Sequence, residues 1–195
     1  MANTFGYLLE SEGESMDENA GQNPAGILRN TLNFQFRISC QLLDFHLEGL
    51  TDEEYHWRPA ARGLHISNRS GEWRADWPES EAYEIGPPSI AWLTWHITFW
   101  WSMVLDYTFG NGSLAREDVG SGGCFLDMKE RITNLREKWE AAIAELPDEE
   151  LLSSERTRWP FTDRPLHELA AWLNLELMKN AAEIGYCRFL YGARK

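Results

Sequence analysis

The chain has 195 residues, enough for one domain of ordinary size with a substantial core. Its 31 Asp and Glu against 18 Lys and Arg give a formal net charge of −13, which argues against a nucleic-acid partner and against docking on an anionic membrane. Hydrophobic residues at 43% and charged residues at 25% exclude a disordered chain, and ten Trp, nine Phe and six Tyr suit a large core, a ligand pocket or an interface.

Residues 1–23 carry Glu10, Glu12, Glu14, Asp17 and Glu18 and no basic residue, and read as an acidic, loosely ordered tail. Phe5, Tyr7, Leu8 and Leu9 within it are able to dock on the body. The start has neither a basic n-region nor an apolar h-region, so no secretory signal is expected. Cys40, Cys124 and Cys187 have no framework spacing and read as free thiols of a reducing, cytoplasmic setting.

Four helical segments follow. The first spans about 24–50, opened by Pro24, with Leu28, Leu32, Phe36, Leu43, His46 and Leu50 on one face. The second spans about 89–109 with the face Leu93, His96, Trp100, Met103 and Tyr107. Ile85 to Leu105 holds no charged residue, but its Pro, Thr, His and Ser residues suit a buried amphipathic helix rather than a membrane span. The third spans about 125–146, with the stripe Met128, Ile132, Leu135, Trp139, Ile143 and Leu146, and Pro147 stops it. The fourth spans about 165–191, with Asp163 or Thr162 as N-cap, Gly192 beyond its end, and Leu166, Leu169, Leu173, Leu177, Ile184, Cys187 and Tyr191 as its stripe. No strand pattern of useful length is found, so the fold class is all-α, a four-helix bundle over 24–195.

Two connections are long. Residues 110–123 contain five Gly and are able to swing across a bundle. Residues 51–88 carry Trp57, Trp73 and Trp77 among Arg58, Arg62, Arg69 and Arg74. That aromatic content predicts an ordered segment that packs over the end where the first helix stops and the second begins.

His46 and His96 fall on the apolar faces of the first two helices, which fits either core histidines or a shared site. Glu176 and Asn180, four residues apart, fall within the apolar sector of the fourth helix. A carboxylate there needs a partner, a metal or a proton. A rotated helix would instead turn Glu176, Lys179, Asn180 and Glu183 to solvent. His56, His65 and His167 read as surface residues. There is no nucleophile elbow, zinc-protease motif, phosphate loop or dinucleotide fingerprint.

The stretch Leu50-Thr51-Asp52-Glu53-Glu54-Tyr55-His56-Trp57-Arg58-Pro59, followed by Ser89-Ile90-Ala91-Trp92-Leu93-Thr94-Trp95-His96-Ile97, resembles the DinB-like (DinB/YfiT) superfamily over about residues 24–192. The resemblance implies an up-down-down-up bundle, often a homodimer, with 110–123 as the long crossover. It also implies a zinc or nickel ion held by one His of the second helix and a His-x-x-x-His pair of the fourth. His96 matches the first position, while Glu176 and Asn180 stand where the pair belongs. Asn offers only a neutral amide oxygen to such an ion. The candidate metal set is therefore His96, Glu176 and Asn180, with His46, Trp57 and Trp100 expected around the pocket. The replaced ligands favour a metal-site-degenerate member that binds a small molecule or a partner. The alternative is a divalent-metal-dependent hydrolase or low-molecular-weight-thiol transferase using His96 and Glu176.

Overall fold

A computed structural model describes residues 23–80 and 82–194, so the tail expected over 1–23 lies, apart from Asn23, outside the described residues. Four long helices form the body: α1 (Pro24–Leu47), α3 (Ile90–Phe109), α4 (Phe125–Glu145) and α6 (Leu166–Gly192). Between them lie the short α2 (Asp52–His56) and α5 (Asp148–Leu152) and the strands β1 (Ile66–Arg69) and β2 (Glu72–Ala75). No described helix is long and apolar enough to cross a membrane.

The helix ends follow local chemistry. Asn23 caps α1 by accepting from the Ala25 amide, with Pro24 in the first turn. α1 stops at Leu47, short of the expected Leu50, because Gly49 takes a φ of 65° and turns the chain. Thr51 then caps α2, whose first turn is all acidic, and Ser89 caps α3 through the Trp92 amide. The cap expected for α6 is corrected. Pro165 occupies that position without a side-chain bond, and the Leu166 amide donates instead to Ser153 O at 2.9 Å.

Contacts along the helices fix their directions. Asn174 donates to Leu32 O and Arg188 to His46 O, so α1 and α6 run parallel. Cys187 bonds Pro88 O while Trp100 meets Trp172, so α3 runs against α6. Phe125 packs near Tyr55, at the start of α3, and Trp139 against Phe109 at its end, so α3 and α4 run parallel. The connectivity is up-down-down-up. Two parallel neighbours need a crossover as long as the bundle. Residues 110–124 supply it, pinned where the Trp95 indole donates to Val119 O and Arg131 to Gly120 O.

α3 is the hub. Fourteen of its twenty residues are buried, so it is covered on several sides rather than amphipathic. That explains the charge-free run without a bilayer. Its third cover is the described part of the 51–88 connection, which includes a hairpin that the strand-free reading missed. β1 and β2 pair antiparallel, Ile66 opposite Ala75 and Arg69 opposite Glu72. Ser70 and Gly71, with φ of 57° and 93°, form the two-residue turn, whose twist suits a tight hairpin. The Ser89 amide donates to Leu64 O and the Trp92 indole to Asp76 O, which fastens the hairpin to α3.

Candidate functional site

Two turns into α3, His96 faces α6. Its Nδ1 lies 3.4 Å from Asn180 Oδ1, and the Trp100 indole donates to the same oxygen at 3.1 Å. An amide oxygen only accepts, so His96 must carry its proton on Nδ1 and keep the lone pair on Nε2. Asn180, 1% exposed, completes itself by donating Nδ2 to Glu183 Oε2 at 2.9 Å. The Trp92 ring lies over the imidazole, 4.8 Å between centroids and nearly parallel. Burial lowers the His96 pKa to about 4, Lys179 adds to the shift, and Asn180 and Glu176 oppose it. The imidazole is neutral at pH 7.

The candidate residues do not all meet. His96, Asn180 and Trp100 form one hydrogen-bonded unit. Glu176 sits at its rim, its side chain 21% exposed, and pairs with Lys179. The sequence alternatives therefore split: Asn180 faces the core and Glu176 the boundary. His46 packs elsewhere. Its ring lies against Gly185 of α6, where an added Cβ would overlap it, and Arg188 lowers its pKa after burial does. Gly185 is five residues past Asn180, about 140° around the helix. Trp57 sits edge-on to Tyr191 at the end of α6. Trp57, expected around the pocket, is therefore not the ring that covers His96, which is Trp92 of α3 itself.

Two contributors escaped the sequence reading. Glu183 was placed only on the solvent alternative, although it lies three residues from Asn180 on the same face. Trp92 lies four residues before His96, the spacing that stacks side chains on a helix. The surface assignment of the other histidines fails too. His65 is 5% exposed, His56 stacks on Trp73, and His167 bonds Leu151 O.

These residues do not fit a zinc or nickel ion. The Asn180 oxygen already takes two donors, and the Glu176 carboxylate is engaged by an ammonium group that also disfavours positive charge on His96. Among the described residues, no group of three or more His, Cys, Asp and Glu side chains is placed to share a cation. The nearby thiol is unsuited to nucleophilic work, because burial pushes Cys187 up to about 11.

A separate concavity opens on the flank of α3 that carries Trp95. It holds about 680 Å³ between the hairpin, Trp95 and residues 116–121 of the crossover. Trp73, Trp77 and Trp95 line it, and the Arg116 guanidinium lies 4.5 Å over the half-exposed Trp77 ring. Arg69 pairs with Asp76, Arg74 with Glu72 and Arg116 with Glu117, so the rim is polar but neutral in sum. This cleft was invisible as a site in the sequence, because its walls come from three distant segments.

Parallel α1 and α6 set against parallel α3 and α4, with His96 of α3 facing Asn180 of α6, define an up-down-down-up helical bundle. The model of the DinB superfamily matches residues 35–184, and the chain belongs to that superfamily. No curated protein and no solved structure matches the chain.

Proposed function

We propose that this member of the DinB superfamily is a metal-independent binding module for a small planar molecule. The observation that carries the reading is the saturated Asn180 amide, bonded to Trp100 and Glu183 and facing His96, at a position where the resemblance implies a metal ligand. A cation there would have to break those bonds and face Lys179. The open cleft supports the ligand half of the proposal. A flat ring is suited to stack on Trp77 in place of the Arg116 guanidinium, with hydrogen-bond acceptors toward Arg69 and Arg116. The metal-dependent hydrolase or thiol-transferase reading finds no supporting contact at His96 and Glu176.

Two titrations test the proposal. Zinc and nickel added to protein purified without a metal-affinity tag should give no stoichiometric binding by calorimetry. A panel of planar aromatic carboxylates and amides should raise the melting temperature of the wild type and not of Trp77→Ala. Micromolar zinc binding that Glu176→Gln abolishes would restore the enzyme reading.

A further inference from the structure

The three charged pairs around the cleft differ in what else they hold. Asp76 pairs with Arg69 at 2.9 Å and also accepts from the His65 amide, so that pair is committed to the base of the hairpin. Arg74 gives two hydrogen bonds to one oxygen of Glu72 on the same strand. Arg116 and Glu117 are chain neighbours on the crossover, joined by a single hydrogen bond, and both side chains reach water. The Arg116 guanidinium also covers Trp77, 4.5 Å from the ring centre. Trp77 is a fixed platform. It stands edge-on to the buried rings of Trp95 at 6.3 Å and Phe99 at 5.3 Å, and is itself 47% exposed. A ring that stacks on Trp77 has to lift Arg116, and with it the hydrogen bond to Glu117.

On the reading of the cleft as a site for a planar molecule, on which this assignment rests, we infer that its ligand is an aromatic α-amino acid bound as the zwitterion, with the ring on Trp77, the carboxylate on Arg116 and the ammonium on Glu117. Charge balance carries the choice. The cleft is lined by three arginines and three carboxylates, although the whole chain carries 31 acidic against 18 basic residues. An anionic ligand that takes Arg116 leaves the Glu117 carboxylate unpaired beside a like charge, and it approaches a molecule of net charge −13. A cationic ligand that takes Glu117 strands Arg116 in the same way. A zwitterion exchanges one ion pair for two and leaves no charge over. The exchange costs little, because the pair it opens lies in water, where ion pairs are weak. An α-amino acid carries both charges on one carbon, so a single ligand reaches two neighbouring side chains at once. The cavity of about 680 Å³ has the size of a small-molecule site, roughly 300–1,000 Å³.

Calorimetry on the full chain with three matched indoles tests the assignment. L-tryptophan carries both charges, indole-3-propionate only the carboxylate and tryptamine only the ammonium. L-tryptophan should bind about fivefold more tightly than either, which is about 1 kcal/mol for one exposed charged contact. Arg116→Gln should weaken L-tryptophan to the level of tryptamine, and Glu117→Gln to the level of indole-3-propionate, both with an unchanged circular dichroism spectrum. Indole-3-propionate or tryptamine binding as tightly as L-tryptophan, in a manner that Trp77→Ala abolishes, overturns the zwitterion and leaves the cleft as a ligand site. A preference for L-tryptophan that survives in both glutamine variants overturns the assignment of its charges to this pair. If none of the indoles binds at millimolar concentration while uncharged aromatic amides still do, the zwitterion alone fails. If no aromatic compound binds at all, the cleft reading fails with it.

Discussion

Trp100 donates its indole N–H to Asn180 Oδ1 at 3.1 Å, which ties the middle of α3 to the face of α6 where a metal ligand was expected. The Trp100 ring is 2% exposed, so its N–H has no recourse to water. A buried donor requires an acceptor, and an amide both accepts from it and donates onward to Glu183. The residue that looks like a lost ligand is therefore a structural connector.

Asn180→Leu should cost about 2–3 kcal/mol in urea unfolding, because it leaves the Trp100 N–H and the inward Glu183 oxygen unpaired. Adding Trp100→Phe should recover part of that loss, since removing both partners is cheaper than removing one. Additive costs in the double variant would show that the bond contributes nothing.

Acid should destabilise the fold through His96. Its pKa is lowered from 6.5 to about 4, first by burial and then by Lys179, so unfolding takes up a proton between those values. The contribution is fully present above about pH 6.5 and is lost as the pH falls toward 4. At roughly 1.4 kcal/mol per unit it reaches about 3.5 kcal/mol. His46 and His65 are shifted in the same direction by burial. Unfolding at pH 7 and pH 4.5 should therefore show a smaller loss in His96→Gln than in the wild type. Nitrogen-15 spectra should show the proton on Nδ1 down to pH 5. Ordinary titration of this imidazole near 6.5 would contradict the geometry.

Spacing made the bundle legible where one face of a helix is buried. On α4, Met128, Ile132, Trp139 and Ile143 are all core residues, as their steps of four and seven require. The same arithmetic puts Asn180 and Glu176 alike in the apolar sector, with a rotated helix as the alternative for both, and could not see that Asn180 is 1% exposed while Glu176 sits on the boundary. It could not say which neighbour His46 faces. That depends on the helix opposite, where the residue that makes room is Gly185. The hairpin was hidden because its strands have only four residues each, leaving the Ser70-Gly71 turn as the single signal.

The His46 placement has a steric test. Gly185→Ala should cost about 1–3 kcal/mol, since the new methyl group enters the space of the imidazole between two parallel helices. His46→Ala opens that space. The double variant should then be more stable than Gly185→Ala alone, by melting temperature or urea midpoint. An equal loss with and without the imidazole would mean that helix backbone, not His46, bounds the site.

The ligands that the resemblance implies can be put back on α6. Glu176→His with Asn180→His puts two imidazoles four residues apart on α6, on the flank that carries the His96 contact. It also removes the carboxylate that pairs Lys179 and the acceptor of Trp100, so the metal-free double variant should be about 1–3 kcal/mol less stable than the wild type. Zinc should reverse that loss. At a free concentration one hundred times its dissociation constant, it contributes about 2.7 kcal/mol to a folded state that alone binds it. A melting temperature that rises with zinc in the double variant, and stays fixed in the wild type, is the expected pair of results. A zinc response of equal size in both would mean that the native residues already hold the ion. No response in the double variant would mean that α3 and α6 are set too far apart at this level for a metal site, whatever residues they carry.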